Sequence, residues 1–194
     1  MRRQFRDQID DGIVDRAAAL FARRGFAKTS VQDIADAVGL SKAGLLHHFP
    51  SKDRLRAAVL AQAHTLGRQV LEQVGEAPPG PQRDRLALEV LADVAMAHPG
   101  MVALMLESIT QPDAEVEAAG DRALQAFGVD RATTDPERLV RVVGSLAALA
   151  VLTLAAHREG WTTEWRRHIV ATCFDALGHR RPGAPRPDPD QVEA

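Results

Sequence analysis

A chain of 194 residues, 45% of them hydrophobic, is long enough for one small and one larger domain and apolar enough for a real core. Its net charge of −2 and single cysteine, Cys173, exclude a globally basic protein, an internal disulfide and a cysteine-based zinc cluster. The charge is unevenly spread: residues 1–55 hold ten Lys and Arg against seven Asp and Glu, a balance of +3, and the rest carries −5.

No alternating strand pattern occurs, so the chain is expected to be all-α. Arg2, Arg3 and Arg6 form either a flexible arm for phosphates or the minor groove, or a frayed, solvated terminus. The N-terminus is charged and lacks an apolar core segment, so no signal peptide is expected there. A first helix is predicted over 7–24, with Ile9, Ile13, Ala17, Leu20 and Phe21 inward and Gly25 as its stop.

The stretch from Thr29 to Leu55, TSVQDIADAVGLSKAGLLHHFPSKDRL, is the most informative. Thr29 or Ser30 caps a second helix, answered by Asp33. Val31, Ile34, Ala35 and Val38 fall at i, i+3, i+4 and i+7, which makes one apolar stripe. Gly39 ends the helix where a left-handed residue is needed, Leu40 plugs the turn, and Ser41 caps a third helix. Phe49, Pro50 and Ser51 stop that helix and start another. Two short helices around a glycine turn form a helix-turn-helix, whose second helix enters the DNA major groove. At about 100° per residue Leu45 and Phe49 make the buried edge, while Ala43 and His47 point away. No acidic residue occurs from Lys42 to Lys52, as suits close approach to a duplex.

A fourth helix is predicted to run from the Ser51 cap to Val74, long enough to be shared by both domains. After the Gly75–Pro81 break, a fifth runs to Ala97 and is ended by His98-Pro99-Gly100. A sixth covers Met101–Thr110 and a seventh Ala114–Phe127. Pro136 opens an eighth helix to Arg158, nearly all apolar between Val142 and Ala156. That apolar stretch is interrupted and too short to span a bilayer, so a soluble cytoplasmic protein without a membrane partner is expected. An all-round apolar helix must be buried all round, most simply with one face against a partner subunit. A ninth helix follows to Leu177. The expected division is a DNA-binding domain at 1–52, a helical ligand-binding and dimerisation domain at 53–178, and a disordered Pro/Arg-rich tail at 179–194.

The order Gly25-Phe26, Thr29-Ser30, Ile34-Ala35, Val38-Gly39-Leu40-Ser41, Leu45, His47-His48-Phe49, Ser51-Lys52 and Leu55 resembles the N-terminal domain of TetR-type transcriptional regulators. The resemblance covers about a quarter of the chain. It implies a dimer that binds palindromic double-stranded DNA and a body that takes a small-molecule effector, often an apolar one. This chain has Leu46 where the family usually has a phosphate-contacting Tyr, and Gly44 where it often has Thr. DNA contacts are therefore expected from Thr29, Ser30, Ser41, Lys42, Ala43, Gly44, Leu46, His47, His48 and Lys52.

Met96, Met101 and Met105 cluster around the His98-Pro99 break, and Met101, Leu104, Met105 and Ser108 share one helical face. Adaptable methionines suit both simple core packing and a ligand cavity, and the resemblance favours the cavity. His64, Phe127, Ser145 and Leu149 are further ligand candidates. Val143, Leu146, Ala150 and Leu154, with Ile169, Cys173 and Phe174 of the ninth helix, are expected to form a two-fold four-helix interface. No catalytic or metal-ligand spacing and no cofactor fingerprint is present, so neither enzyme nor metal nor cofactor is expected. The competing reading is a helical interaction or ligand-binding protein whose helix-turn-helix is non-functional.

Overall fold

The computed structural model describes residues 2–179, with side chains from Gln8 onward. The Pro/Arg-rich tail from 180, and the side chains of Arg2, Arg3 and Arg6, lie outside the described residues. The described residues form nine helices: α1 Arg2–Arg24, α2 Val31–Ala37, α3 Lys42–His48, α4 Lys52–Val74, α5 Pro81–Ala97, α6 Pro99–Glu107, α7 Ala114–Ala126, α8 Pro136–Glu159 and α9 Thr162–Ala176. No strand occurs among them. Helix α1 starts earlier than expected, which puts the three arginines on its first turns rather than on an extended arm.

Local chemistry sets the helix ends. Asp113 accepts from the Glu115 and Val116 amides at the start of α7, and Asp135 does the same for Glu137 and Arg138 at the start of α8. Helix α6 opens at Pro99, two residues before the expected Met101, because a proline tolerates the first helical turn, where its missing N–H is not needed. Helices α5 and α6 meet there at 107°.

The chain buries two apolar clusters. One joins α1 through Ile13, Ala17 and Phe21 with Ile34, Leu45, Leu55 and Val59, and takes in Met101 and Ala119 from the body. The other joins Val70 and Val74 with Leu88, Phe127, Val142, Leu149, Ile169 and Cys173. Helix α4 feeds both, so it is the shared helix the sequence suggested.

Two polar joints fasten the small unit to the body. The Asp15 carboxylate of α1 accepts from the Gly100 amide at 3.0 Å and the Met101 amide at 2.9 Å, capping α6 from another helix. On α4, Arg56 pairs with Asp113 and Glu115 at the start of α7. Burial opposes ionisation of Asp113, but the Arg56 hydrogen bond and the backbone donors outweigh it and lower its pKa. A hydrogen bond to a charged group is worth about 1.5–3 kcal/mol, against about 0–1 kcal/mol for an exposed ion pair. Both joints are hydrogen bonds to carboxylates, from two backbone amides at Asp15 and from the Arg56 guanidinium at Asp113 and Glu115.

The body also holds a buried polar cluster that the sequence did not reveal. Asp84 of α5 is fully buried, accepting from Arg138 Nη2 at 2.7 Å and His179 Nε2 at 2.6 Å. These contacts pin the start of α8 and the end of α9 onto α5. Each charged partner is matched, as a buried carboxylate requires.

Gly100 lies so close to α1 that a Cβ there would overlap the Asp15 carbonyl oxygen, whereas a Cβ at Gly12 of α1 would meet nothing within 4 Å. Gly100→Ala should therefore destabilise the protein by about 1–3 kcal/mol. Gly12→Ala should stabilise it by up to about 1 kcal/mol through helix propensity alone. Thermal or urea unfolding of both variants checks the contrast.

Candidate nucleic-acid interface and effector cavity

Helices α2 and α3 are built almost entirely by local hydrogen bonds. Ser30, not Thr29, caps α2: its hydroxyl accepts from the Asp33 amide while the Asp33 carboxylate takes the Ser30 amide at 2.8 Å. The Ser30 hydroxyl and amide lower the Asp33 pKa, and Arg24 adds to the effect from the end of α1. At the other end Gly39 has φ 71°, and its amide bonds to Asp36 while Leu40 bonds to Ala35 at 2.9 Å. That pair of crossed bonds is the Schellman stop, and it requires a left-handed residue. Ser41 then caps α3 through the Gly44 amide at 3.0 Å.

Packing orients α3. Leu45 is 1% exposed and Phe49 is half-buried against the same cluster, while Lys42, Ala43 and His47 are exposed and Gly44 and Leu46 are half-buried. The outward face is therefore the one expected. Two long-range contacts hold the unit together, one from the end of α3 and one from the first residue of α4. His48 Nδ1 donates to Asp10 Oδ1 of α1 at 2.6 Å. Lys52 Nζ donates to the Phe26 carbonyl at 2.9 Å and sits 4.3 Å from the centre of its ring.

These contacts sort the expected DNA residues. Thr29 is corrected: it is 1% exposed and its hydroxyl is committed to the Gly25 carbonyl, so its side chain belongs to the core. His48 and Lys52 are partly occupied as anchors, and Ser30 is engaged in its capping box. Lys42, Ala43, Gly44, Leu46 and His47, with Ser41 at the helix start, share one surface. Sequence reasoning passed over Lys28 and Arg54, which are exposed beside the α2 and α4 caps and form no ion pair among the described residues. Their signal was basic charge next to a capping serine or threonine.

The body contains a cavity of about 550 Å³ between α4, α5, α6, α7 and α8. Met101, Met105 and Ser108 of α6 line it, with Val94 of α5, Leu124 of α7 and Val143, Leu146, Leu149 and Ala150 of α8. Four of the expected ligand residues, Met101, Met105, Ser108 and Leu149, thus come together. The other five do not line it. Leu104 borders a smaller gap of about 130 Å³ next to Phe21 and Phe26. His64 is held by Arg122, Met96 packs into the body core, Phe127 is 1% exposed, and Ser145 is spent on the Cys173 carbonyl. Polar His98, Glu117 and Arg131 lie around the cavity and were not anticipated.

The expected subunit interface also needs correction. Ile169 and Cys173 are 2% and 0% exposed, and Phe174 stacks on His179 at 4.8 Å, all within the subunit. Burial raises the Cys173 thiol to about 11, consistent with a small apolar core residue. The apolar side of α9 thus completes its own core. Helix α8 is different. It is long and apolar enough to cross a membrane by length and composition, more than its interrupted run suggested, yet only 28% of its most apolar window is buried. Val140, Val143 and Val151 are exposed along it, and Leu154 is half-buried.

Residues 13–59 match the model of the bacterial regulatory proteins of the tetR family. The HTH-type transcriptional repressor KstR2 of Rhodococcus jostii is 48% identical over 48 residues, covering 25% of this chain and 24% of that repressor. An uncharacterised HTH-type transcriptional regulator of Mycobacterium tuberculosis is 28% identical over 149 residues, covering 72% of this chain and 73% of its own. The crystal structure of the TetR family regulator PfmR from Thermus thermophilus superposes with a TM-score of 0.52 at 26% identity, covering 87% of this chain and 98% of PfmR. The capped helix-turn-helix of this chain thus matches the DNA-binding domain of the bacterial tetR-family regulators, and its all-α body is similar in fold to that of PfmR.

Proposed function

We propose that this chain works in the cytoplasm as a homodimeric repressor, released from a palindromic operator by an apolar or amphipathic small molecule. The observation that carries the DNA-binding part is α3 itself. It is a rigidly held helix whose exposed Lys42, Ala43 and His47 face outward with no carboxylate among them. In this reading Lys42 and the Ser41 hydroxyl hold phosphates, Ala43 meets a thymine methyl and His47 a base edge or phosphate. Gly44 lets the backbone approach closely. Lys52 has donors to spare beyond the Phe26 carbonyl and adds a phosphate contact, with Lys28 and Arg54 beside it.

The partner is a second copy joined through α8. Its exposed Val140, Val143 and Val151, with Ala147 and Leu154, form an apolar face interrupted by Gly144 and alanines, which allow two helices to pack closely. Two recognition helices then stand roughly 34 Å apart, one DNA turn. The effector occupies the methionine-lined cavity, where mostly apolar walls favour an apolar body and Arg131, His98 and Glu117 favour polar ends. Release requires the effector to bind the DNA-incompetent form more tightly, typically by about 1–3 kcal/mol.

Lys42→Ala should weaken binding to every duplex and reduce the salt slope by about one counterion. His47→Ala should shift preference at particular base positions. Fluorescence anisotropy across a salt series, on matched and altered duplexes, reads both, and two silent variants would mean that another surface binds the DNA.

Gly144 is exposed and a Cβ there meets nothing within 4 Å in the subunit, so the side chain of Gly144→Leu starts into open space. In a close-packed α8 dimer it should raise the dimer dissociation constant at least about tenfold, since 1.4 kcal/mol of overpacking already gives that factor. Sedimentation equilibrium measures the change, with helical content checked by circular dichroism. An unchanged constant would place the interface elsewhere.

A further inference from the structure

We propose that Asp15 is the positioning residue through which the cavity acts on the recognition helix. The proposal rests on the ligand-responsive reading above and names the route within it. Met101 belongs to both sides of the joint: its side chain lines the cavity while its amide donates to Asp15 Oδ1 at 2.9 Å. The Gly100 amide donates to Oδ2 of the same carboxylate at 3.0 Å, and the Gly100 Cα lies against the Asp15 carbonyl with no room for a side chain. The start of α6 therefore has little freedom to slide along α1. Five residues earlier on α1, about 7.5 Å along its axis, Asp10 accepts from His48 at the end of α3. Helix α1 is thus a stiff rod with two polar hooks on its middle turns, one on the cavity wall and one on the DNA-reading helix.

A molecule that displaces the Met101 side chain pulls on an amide that is tied directly to this rod. The alternative joint, Arg56 with Asp113 and Glu115, has partners 29–60% exposed, touches neither α3 nor Met101, and is screened by salt. An asparagine at position 15 keeps the size of the side chain but has one carbonyl oxygen and no charge. It cannot accept both amides as the carboxylate does.

The test fills the cavity covalently. Ser108→Cys places a thiol on its wall, and monobromobimane is the probe. Native Cys173 is buried with its pKa raised to about 11 and stays unlabelled. DNA affinity is measured for the labelled and unlabelled full-length protein, with Asp15 intact and as Asp15→Asn, on a duplex recovered by random-sequence selection. With Asp15 intact, labelling should weaken binding at least tenfold. With Asp15→Asn, the unlabelled protein should still bind within a few-fold, and the labelling effect should shrink to twofold or less. An equal labelling effect in both backgrounds would overturn the role of Asp15 and leave the ligand-responsive reading standing. No labelling effect in either background would overturn both. Should Asp15→Asn fail to fold, hydrogen exchange at the Gly100 and Met101 amides of the Ser108→Cys protein decides: protection should fall on labelling, and unchanged protection would overturn the proposal.

Discussion

The contact between the Asp15 carboxylate and the first amides of α6 is the constraint on which the rest of the arrangement turns. A helix N-terminus leaves several amides without partners, and those of α6 follow a proline and a sharp bend, with no capping side chain of their own. Asp15 supplies the partners from α1, and Gly100 allows the two backbones to come close enough for it to do so. Once that contact forms, α6 has one position against α1. The inner wall of the cavity and the base on which the recognition helix rests are fixed together.

The two halves of the molecule differ in how completely they satisfy themselves. The small unit is closed: its apolar residues meet one another, α2 and α3 are capped by Ser30 and Ser41, and its recognition helix is held by Leu45 and His48. The body is open in two places, the cavity and the outer face of α8. Apolar surface left in water forgoes about 25 cal/mol per Å² that burial would supply. Both openings therefore lower in energy when something apolar covers them, a ligand in one case and a second subunit in the other. Helix α8 borders both: Val143 and Ala147 reach the cavity wall from the edge of the exposed face that carries Gly144 and Val151.

What could be read in advance follows the range of the interactions. The Ser30–Asp33 box, the Gly39 stop, the Ser41 cap and the Leu45–Phe49 edge are set by residues within a few positions of one another, and the sequence displays them. The Asp15–Gly100 joint spans 85 residues and the His48–Asp10 bond 38. Neither end of either pair differs in sequence from an ordinary solvated side chain. Asp84 was hidden for the same reason, its partners lying 54 and 95 residues away. Ile169 and Cys173 show a different limit. Periodicity says that a face is buried but not against what, and here the partner is α5 and α8 of the same subunit. The methionine face of α6 was legible as a stripe, but Leu104, one position off, turned towards α1 instead of the cavity.

The central claim is that α3 of two paired subunits reads duplex DNA. Selection from a random duplex pool by the purified full-length protein, followed by sequencing, tests it most directly. The account predicts enrichment of an inverted repeat whose half-site centres lie about one helical turn, 10–10.5 base pairs, apart. Recovery of sequences indistinguishable from the input pool, at salt low enough for basic surfaces to bind, would contradict it.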